Sequence, residues 1–431
     1  MKNNSLRGAL ALTPIVVLLA VYLAGALLAG DFYRIPISVS FVVAVIYAIS
    51  LLRGYNFQER IGLFSQGAAN PDIMYMVWIF CLAGIFASSA KAMGAVDATV
   101  ALTLRFVPSA YLPAGIFVAA CFVSMAIGTS VGTIVALTPV VTAMATALGC
   151  DVAWLVAIVV GGAFFGDNLS FISDTTIAAT QSQGCRMKDK FRTNFVLALP
   201  AALATLALYL FGEGMEGAVA MTQSAEWFRA VPYLLVIILA LVGVNVLVVL
   251  LVGIVVTDAI GLMAGDGFTM LSVFESAGEG LSSMCELILV TLFAGGLMNL
   301  VRAAGGFEFL TRALTRRIKG RRGAEAVIAL LTALTNLCTA NNTIAILTMG
   351  SIARDLSQRY GVAARKSASL MDTASCVVQG IIPYGAQLLM ASGLASVSPV
   401  AIIPHLYYPM ALGVMVVFAI LFKFPRTERT E

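Results

Sequence analysis

Ala83-Gly84-Ile85-Phe86-Ala87-Ser88-Ser89-Ala90-Lys91-Ala92-Met93-Gly94 is echoed by Ala294-Gly295-Gly296-Leu297-Met298-Asn299-Leu300-Val301-Arg302-Ala303-Ala304-Gly305, with alanine-glycine, cation-alanine and the last glycine in register 211 residues apart. Thr133-Ile134 with Leu137-Thr138 recurs as Thr343-Ile344 with Leu347-Thr348, and Gly54 and Phe57 match Gly265 and Phe268. The apolar run near 194 to 212 matches another near 405 to 423. Single matches in apolar text mean little, but a near-constant offset at four places indicates a duplication. Two units, 1–211 and 212–422, then fill the chain and leave a short basic tail at 423–431.

Composition names the solvent. Of the 431 residues 60% are hydrophobic and 11% charged, whereas a soluble domain has about 25% charged residues. Apolar runs able to cross a bilayer, which takes about 20 residues as a helix, recur along the whole chain. Unit one has seven, near 9–29, 35–52, 73–93, 111–128, 131–148, 153–181 and 194–212. An odd number of crossings turns the second unit upside down. The expected fold is an all-α polytopic membrane protein of two inverted repeats, about seven hydrophobic segments each, with helical hairpins and broken helices at the midplane. The parity requires the run 230–263 to divide around Gly243-Val244-Asn245.

Charge supports that topology. With the N-terminus inside, the cytoplasmic loops carry Arg186, Lys188, Lys190 and Arg192, then Arg302, Arg312, Arg316, Arg317, Lys319, Arg321 and Arg322. The expected outer loops near 149–153, 264–280 and 391–404 contain no Lys or Arg, as the positive-inside rule asks. Arg34, Lys91, Arg105 and Arg229 fall on the outer side against the rule. Both termini are therefore expected in the cytoplasm and the chain in the cell (inner) membrane, as a multi-pass protein. The run 9–29 follows Lys2 and Arg7 but is too long for a signal-peptide core, so it is expected as an uncleaved first helix.

Several functions are disfavoured at once. The seven cysteines lack the paired spacings of a zinc site or disulfide framework. A single histidine, His405, leaves little scope for histidine-based metal binding or a Ser-His-Asp arrangement, and no phosphate-cradling glycine loop with its lysine is present. No enzyme activity, nucleic-acid partner or ATP-driven pumping is expected.

The chemistry must lie in the polar residues inside apolar segments, because each is costly there. Gly128-Thr129-Ser130-Val131-Gly132-Thr133 interrupts one apolar stretch, and its repeat partner is Cys338-Thr339-Ala340-Asn341-Asn342-Thr343. Each reads as a hairpin tip or a break between half-helices that turns backbone and side-chain oxygens toward a cavity. For the first, a close helix contact through Gly128 and Gly132 is the alternative. A third stretch, Gly166-Asp167-Asn168-Leu169-Ser170-Phe171-Ile172-Ser173-Asp174-Thr175-Thr176, places two carboxylates among hydroxyls and an amide. These are hard oxygen ligands for a small hard cation, and the carboxylates also take up protons. A polar loop between two short buried segments is the competing reading. The corresponding part of unit two runs from Asp372-Thr373-Ala374-Ser375 through Gln379-Gly380 and Pro383-Tyr384 to Gln387 and lacks the carboxylate pair. Unit one is thus expected to hold the ion and unit two to offer amides and backbone to a substrate, with Asp372 either joining a site or pairing with Arg354 or Lys366.

With Gly-Asp-Asn-Leu-Ser and Ser-Asp-Thr-Thr at 166–176 and Gly-Thr-Ser at 128–130, the chain resembles the NhaC-type sodium/proton antiporter family over most of its length. The resemblance implies a place in the wider ion transporter superfamily and an ion site of Asp167, Asn168, Ser170, Ser173, Asp174 and Thr175, with Asp167 and Asp174 the Na+ ligands. The family pattern has proline after the first serine, where this chain has Phe171. Members also include sodium-coupled carriers of amino acids and organic acids.

The expected function is therefore secondary active transport coupling Na+ or H+, as a sodium/proton antiporter. The alternative is a Na+- or H+-coupled carrier of an amino acid or small carboxylate. Gly128, Thr129, Ser130, Thr133, Thr339, Asn341, Asn342, Thr343, Gln379 and Gly380 are the candidate substrate contacts. Expected partners are membrane lipid, a small cation and, in the alternative, the amino acid or carboxylate. No cofactor is expected beyond the coupling ion, and the oligomeric state is left open, a homodimer included. An intramembrane aspartyl protease fits poorly, since its two aspartates belong on separate helices and these are seven apart in one segment. A channel is separated from a carrier by uphill flux.

Overall fold

Inside a bilayer each backbone N–H and C=O needs a partner from the protein itself, so the chain crosses as helices, and irregular backbone survives only where side chains bond it. The computed structural model describes residues 8–29, 36–106, 108–211, 226–265, 267–316 and 318–425, and every regular element among them is helical. The first half comprises α1 (Thr13–Ala29), α2 (Ile37–Leu51), α3 (Phe57–Ala68), α4 (Pro71–Ala92), α5 (Ala95–Phe106), α6 (Leu112–Ile127), α7 (Ser130–Leu148), α8 (Val152–Leu169), α9 (Asp174–Gln183) and α10 (Met187–Phe211). The second comprises α11 (Val231–Leu241), α12 (Val246–Ala264), α13 (Met270–Ala303), α14 (Gly306–Thr315), α15 (Gly320–Thr339), α16 (Asn342–Tyr360), α17 (Ala364–Ile381), α18 (Ala386–Ala395), α19 (Pro399–Ile402) and α20 (Tyr407–Leu421). Arg34, Arg317, the 211/212 boundary and most of the 423–431 tail touch or lie outside the described residues.

Among the described residues, seven segments are long and apolar enough to cross a membrane, or eight if the bent pair Pro399–His405 and Tyr407–Leu421 is one span. Several of the hydrophobic segments read from sequence are instead short helices, among them Leu112–Ile127 and Trp227–Leu241. The run 230–263 divides where expected, into α11 and α12. The expected outer loop at 264–280 does not form over its whole length: helix α13 begins at Met270, capped by Thr269 and Ser272. At 34 residues α13 is about 50 Å long. Its counterpart in the first half is split into α3 and α4, because Asn70 caps a new helix there and Pro71, at its first position, has no N–H to continue the old one. The corresponding place in α13, 211 residues on, is Leu281-Ser282, which interrupts nothing.

Helix boundaries recur. α7 and α16, α8 and α17, and α9 and α18 begin and end 212 residues apart, and so do the starts of α10 and α19. The register at the hairpins is therefore 212 rather than 210: Gly128 answers to Ala340, Thr129 to Asn341 and Ser130 to Asn342. Gly84 lies against Gly280 and Gly67 against Gly295, with Ser89 Oγ 3.2 Å from Ser276 Oγ, so α3–α4 and α13 run antiparallel. A Cβ at Gly84 or Gly280 would run into the backbone carbonyl of the other, which is why both positions are glycine. At the centre lies α8, buried along nearly its whole length from Ala153 to Leu169 and accordingly apolar on all sides until Asp167.

Candidate functional site

Two hairpin tips, the break after α8 and the first turn of α18 converge on one cavity. The α6–α7 tip turns at Gly128, whose φ of 76° closes α6 with its N–H bonded to Ser124 O at 2.8 Å, and at Thr129, extended at φ −145°. The α15–α16 tip repeats this geometry with Ala340 at φ 50° and Asn341 at φ −146°. Gly128 is thus a helix cap rather than half of a glycine-glycine helix contact; a Cβ there would come within 2.6 Å of Ile172. The breaks are Ser170–Ser173 between α8 and α9 and Ile382–Gly385 between α17 and α18. At the first break the ring of Phe171 stacks on that of Phe191 at 4.5 Å.

The cavity between these parts measures about 310 Å³. It is lined from the first half by Asp72, Tyr75, Met76, Ile79, residues 127–131, Asp167 and residues 172–175, and from the second by residues 243–246, Asn341, Asn342, Thr343 and Gln387. Among the described residues, its three carboxylates all come from the first half and its amides from the second, and none of those lining it is Lys, Arg or His.

Asp167 is the deep carboxylate, 3% exposed, and its Oδ1 accepts the backbone N–H of Ser130 at 3.0 Å. That N–H is one of the orphan donors of the α7 N-terminus, where the positive end of the helix dipole favours an anion. Gln387 Nε2 donates to Ser130 Oγ at 2.9 Å, and Gln379 Nε2 donates to Gln387 Oε1 at 2.8 Å and to Ala340 O at 2.9 Å. A buried chain of bonds therefore runs from Asp167 through the first hairpin tip and the second break to the second hairpin tip. Asp174, at the start of α9, is exposed and faces the cavity mouth with Asp72.

Of the residues singled out from sequence, Gly128, Thr129, Ser130, Asp167, Ser173, Asp174, Thr175, Asn341, Asn342 and Thr343 line this cavity. Asn168, Ser170, Thr133, Thr339, Gln379 and Gly380 are not among its lining residues. Asn168 follows Asp167 by one residue and so points about 100° away around α8; its Nδ2 donates to Phe164 O and Tyr408 Oη. Ser170 Oγ donates to Met125 O, Thr133 Oγ1 to Thr129 O and Thr339 Oγ1 to Asn341 O, so these hydroxyls brace backbone. Gly380 makes room for Pro409 and Phe164. Asn341 spends its Oδ1 on the N–H of Ile344, capping α16.

Sequence reading missed Asp72 and Tyr75, which lie at the start of α4 after Asn70-Pro71 and look like an ordinary helix N-terminus. It also misplaced two charges. Lys190 is no part of a cytoplasmic loop but is 1% exposed, and Asp372 pairs with it at 2.8 Å rather than with Arg354 or Lys366. Lys366 instead donates to the carbonyl of Phe424. Basic loops are read from residue type alone, and an amphipathic lysine turned inward gives no signal in such a count.

The geometry can be set beside known proteins. A model of the Na+/H+ antiporter family matches residues 5–212 and 218–424. The malate-2H+/Na+-lactate antiporter of Bacillus subtilis (strain 168) is 21% identical over 95% of this chain and 94% of its own. The Na+/H+ antiporter NhaC of Alkalihalophilus pseudofirmus is 25% identical over 91% of this chain and 90% of its own. The arginine/ornithine antiporter ArcD of Halobacterium salinarum is 22% identical over 84% and 81%.

Proposed function

The chain belongs to the Na+/H+ antiporter family, and from that premise we propose that Asp167 is where its cation binds and that Na+ and H+ are exchanged across the two hairpin tips. It is a secondary active transporter of the multi-pass membrane type. The observation that carries the site is the position of Asp167: buried, held by the Ser130 N–H, and lining a cavity with no basic side chain among the described residues to neutralise it. An uncompensated carboxylate at such depth costs roughly 2.5 to 3.5 kcal/mol on insertion scales, and a bound cation or proton offsets that. Thr129, Ser130 and Thr175 offer hydroxyl oxygens beside it, the hard ligands that sodium takes.

Alternating access follows if the halves 1–211 and 212–422 are inverted copies that rock about this point. Recurring boundaries at 212 residues and the antiparallel run of α4 against its counterpart α13 support that inversion. The positive loops support cytoplasmic termini in an inner membrane.

The test is Asp167→Asn in proteoliposomes with a pH-sensitive dye inside. Sodium-driven proton movement is expected to vanish while the variant melts like the parent; unchanged exchange removes Asp167 from the site.

A second reading rests on size and charge. A space of 310 Å³ is roughly ten times the share of one water molecule in the liquid, far more than a bare sodium ion needs. Its acidic lining favours an organic cation, such as the substrates named for the arginine/ornithine relative, over the free carboxylates named for the malate/lactate relative. Proton movement driven by arginine or ornithine but not by malate would select it.

A further inference from the structure

Lys190 and Asp372 lie behind the cavity rather than in its lining, on α10 of the first half and α17 of the second. Both are essentially unexposed. The ammonium of Lys190 has three hydrogens and meets three acceptors: Asp372 Oδ2 at 2.8 Å, Thr176 Oγ1 at 2.7 Å and Asn168 O at 3.1 Å. Asn168 belongs to the last turn of α8 and Thr176 to the first turn of α9, so one side chain grips both lips of the break that carries Asp167. Asn194 doubles the grip, donating to Asn168 O at 2.9 Å and to Asp372 Oδ2 at 2.7 Å.

The fold itself does not require this cluster. Shifted by the 212-residue register, Asn168, Thr176, Lys190 and Asn194 fall on Gly380, Leu388, Ile402 and Leu406, and Asp372 falls back on Val160. The same places in the opposite half are thus filled by glycine and buried apolar side chains. Replacing a buried ion pair by apolar groups is often neutral or stabilising, so a pair present on one side only calls for a reason other than stability. Its asymmetry follows that of the carboxylates: Lys190 and the break it bonds belong to the half that supplies Asp72, Asp167 and Asp174.

We propose that Lys190 is a positioning residue for cation binding: it fixes the width of the α8–α9 break, and with it the placement of Asp167, and fastens both lips to the second half through Asp372. This rests on the reading of Asp167 as the cation site. The ammonium itself touches no transported ion. Loosening the break weakens binding of the cation in every state of the cycle, which raises the sodium KM and leaves the maximal rate in place.

Three variants test this, with sodium-driven exchange measured in proteoliposomes and melting in detergent. Thr176→Val removes one acceptor and keeps the ion pair; a rise of about tenfold in sodium KM is expected, with the maximal rate near that of the parent and a melting temperature lowered only modestly by the one stranded N–H, the variant still folding. Lys190→Met alone strands Asp372 and is expected to fold poorly. Lys190→Met with Asp372→Leu removes both charges and is expected to fold again yet keep the raised KM. Recovery of parental KM together with the fold, or a parental KM in folded Thr176→Val, would mean the pair serves packing alone and overturns the proposal. Should the double variant fail to fold, Thr176→Val decides. Asp167→Asn run alongside separates the two readings: its loss of exchange beside a parental KM in Thr176→Val defeats the positioning role and spares the site.

Discussion

Gln379 stands 212 residues after Asp167, and each is bonded to the hairpin tip of its own half: Asp167 accepts from Ser130 N at 3.0 Å, and Gln379 donates to Ala340 O at 2.9 Å. The same place in the two repeats thus holds an acceptor with a charge in one and a neutral donor in the other. On the proposed duplication, this exchange of acid for amide confines the buried negative charge beside the tips to the first half.

Gln379→Glu should therefore not create a second working site. The new carboxylate would face two acceptors, Ala340 O and Gln387 Oε1, and lose both donated bonds. A loss of at least about 2 kcal/mol in stability is expected, read as a lower melting temperature in detergent. A variant as stable as the parent would show that these two bonds contribute nothing.

The two tips respond oppositely to changes at their left-handed residue. Gly128→Ala brings a Cβ into that region and against Ile172, and should destabilise by at least about 1 to 2 kcal/mol. Ala340→Gly relieves the same strain and should gain up to about 1 kcal/mol. Paired thermal melts of the two variants check the sign of each.

Asp174 and Asp167 should separate kinetically. Asp174 is exposed at the cavity mouth, where a charge contributes at most about 1 kcal/mol, so Asp174→Asn should raise the sodium KM about fivefold at most and leave the maximal rate alone. Complete loss of exchange in this variant would move the ion toward the mouth.

Orientation is open to labelling. Single cysteines placed between 302 and 325 in a chain cleared of its own seven should react with an impermeant maleimide only from the cytoplasmic side, and cysteines at 149–151 only from the outer side. Reversed accessibility would overturn the charge-based topology.

The class of the protein was written in local features. Apolar runs, paired glycines and the spacing of Thr129-Ser130, Asn341-Asn342 and Asp167 through Asp174 depend only on residue type along the chain, and a helix that breaks inside a membrane must show the polar residues that serve its freed backbone. Those stretches could be read, as could the split at Gly243, where glycine takes a positive φ just past one helix and Asn245 caps the next.

What the chain in one dimension did not contain was direction. Whether Asn168 shares a site with its neighbour Asp167, whether Lys190 looks to water or inward, and which cation meets Asp372 are settled by 100° of rotation around a helix and by which helix lies beside it. Sequence by itself determined that carboxylates stand where helices break. Only the packing of α8, α10 and α17 decided that one of them faces a cavity while another, Asp372, is locked to a lysine, because contacts between residues 182 positions apart belong to the folded chain alone.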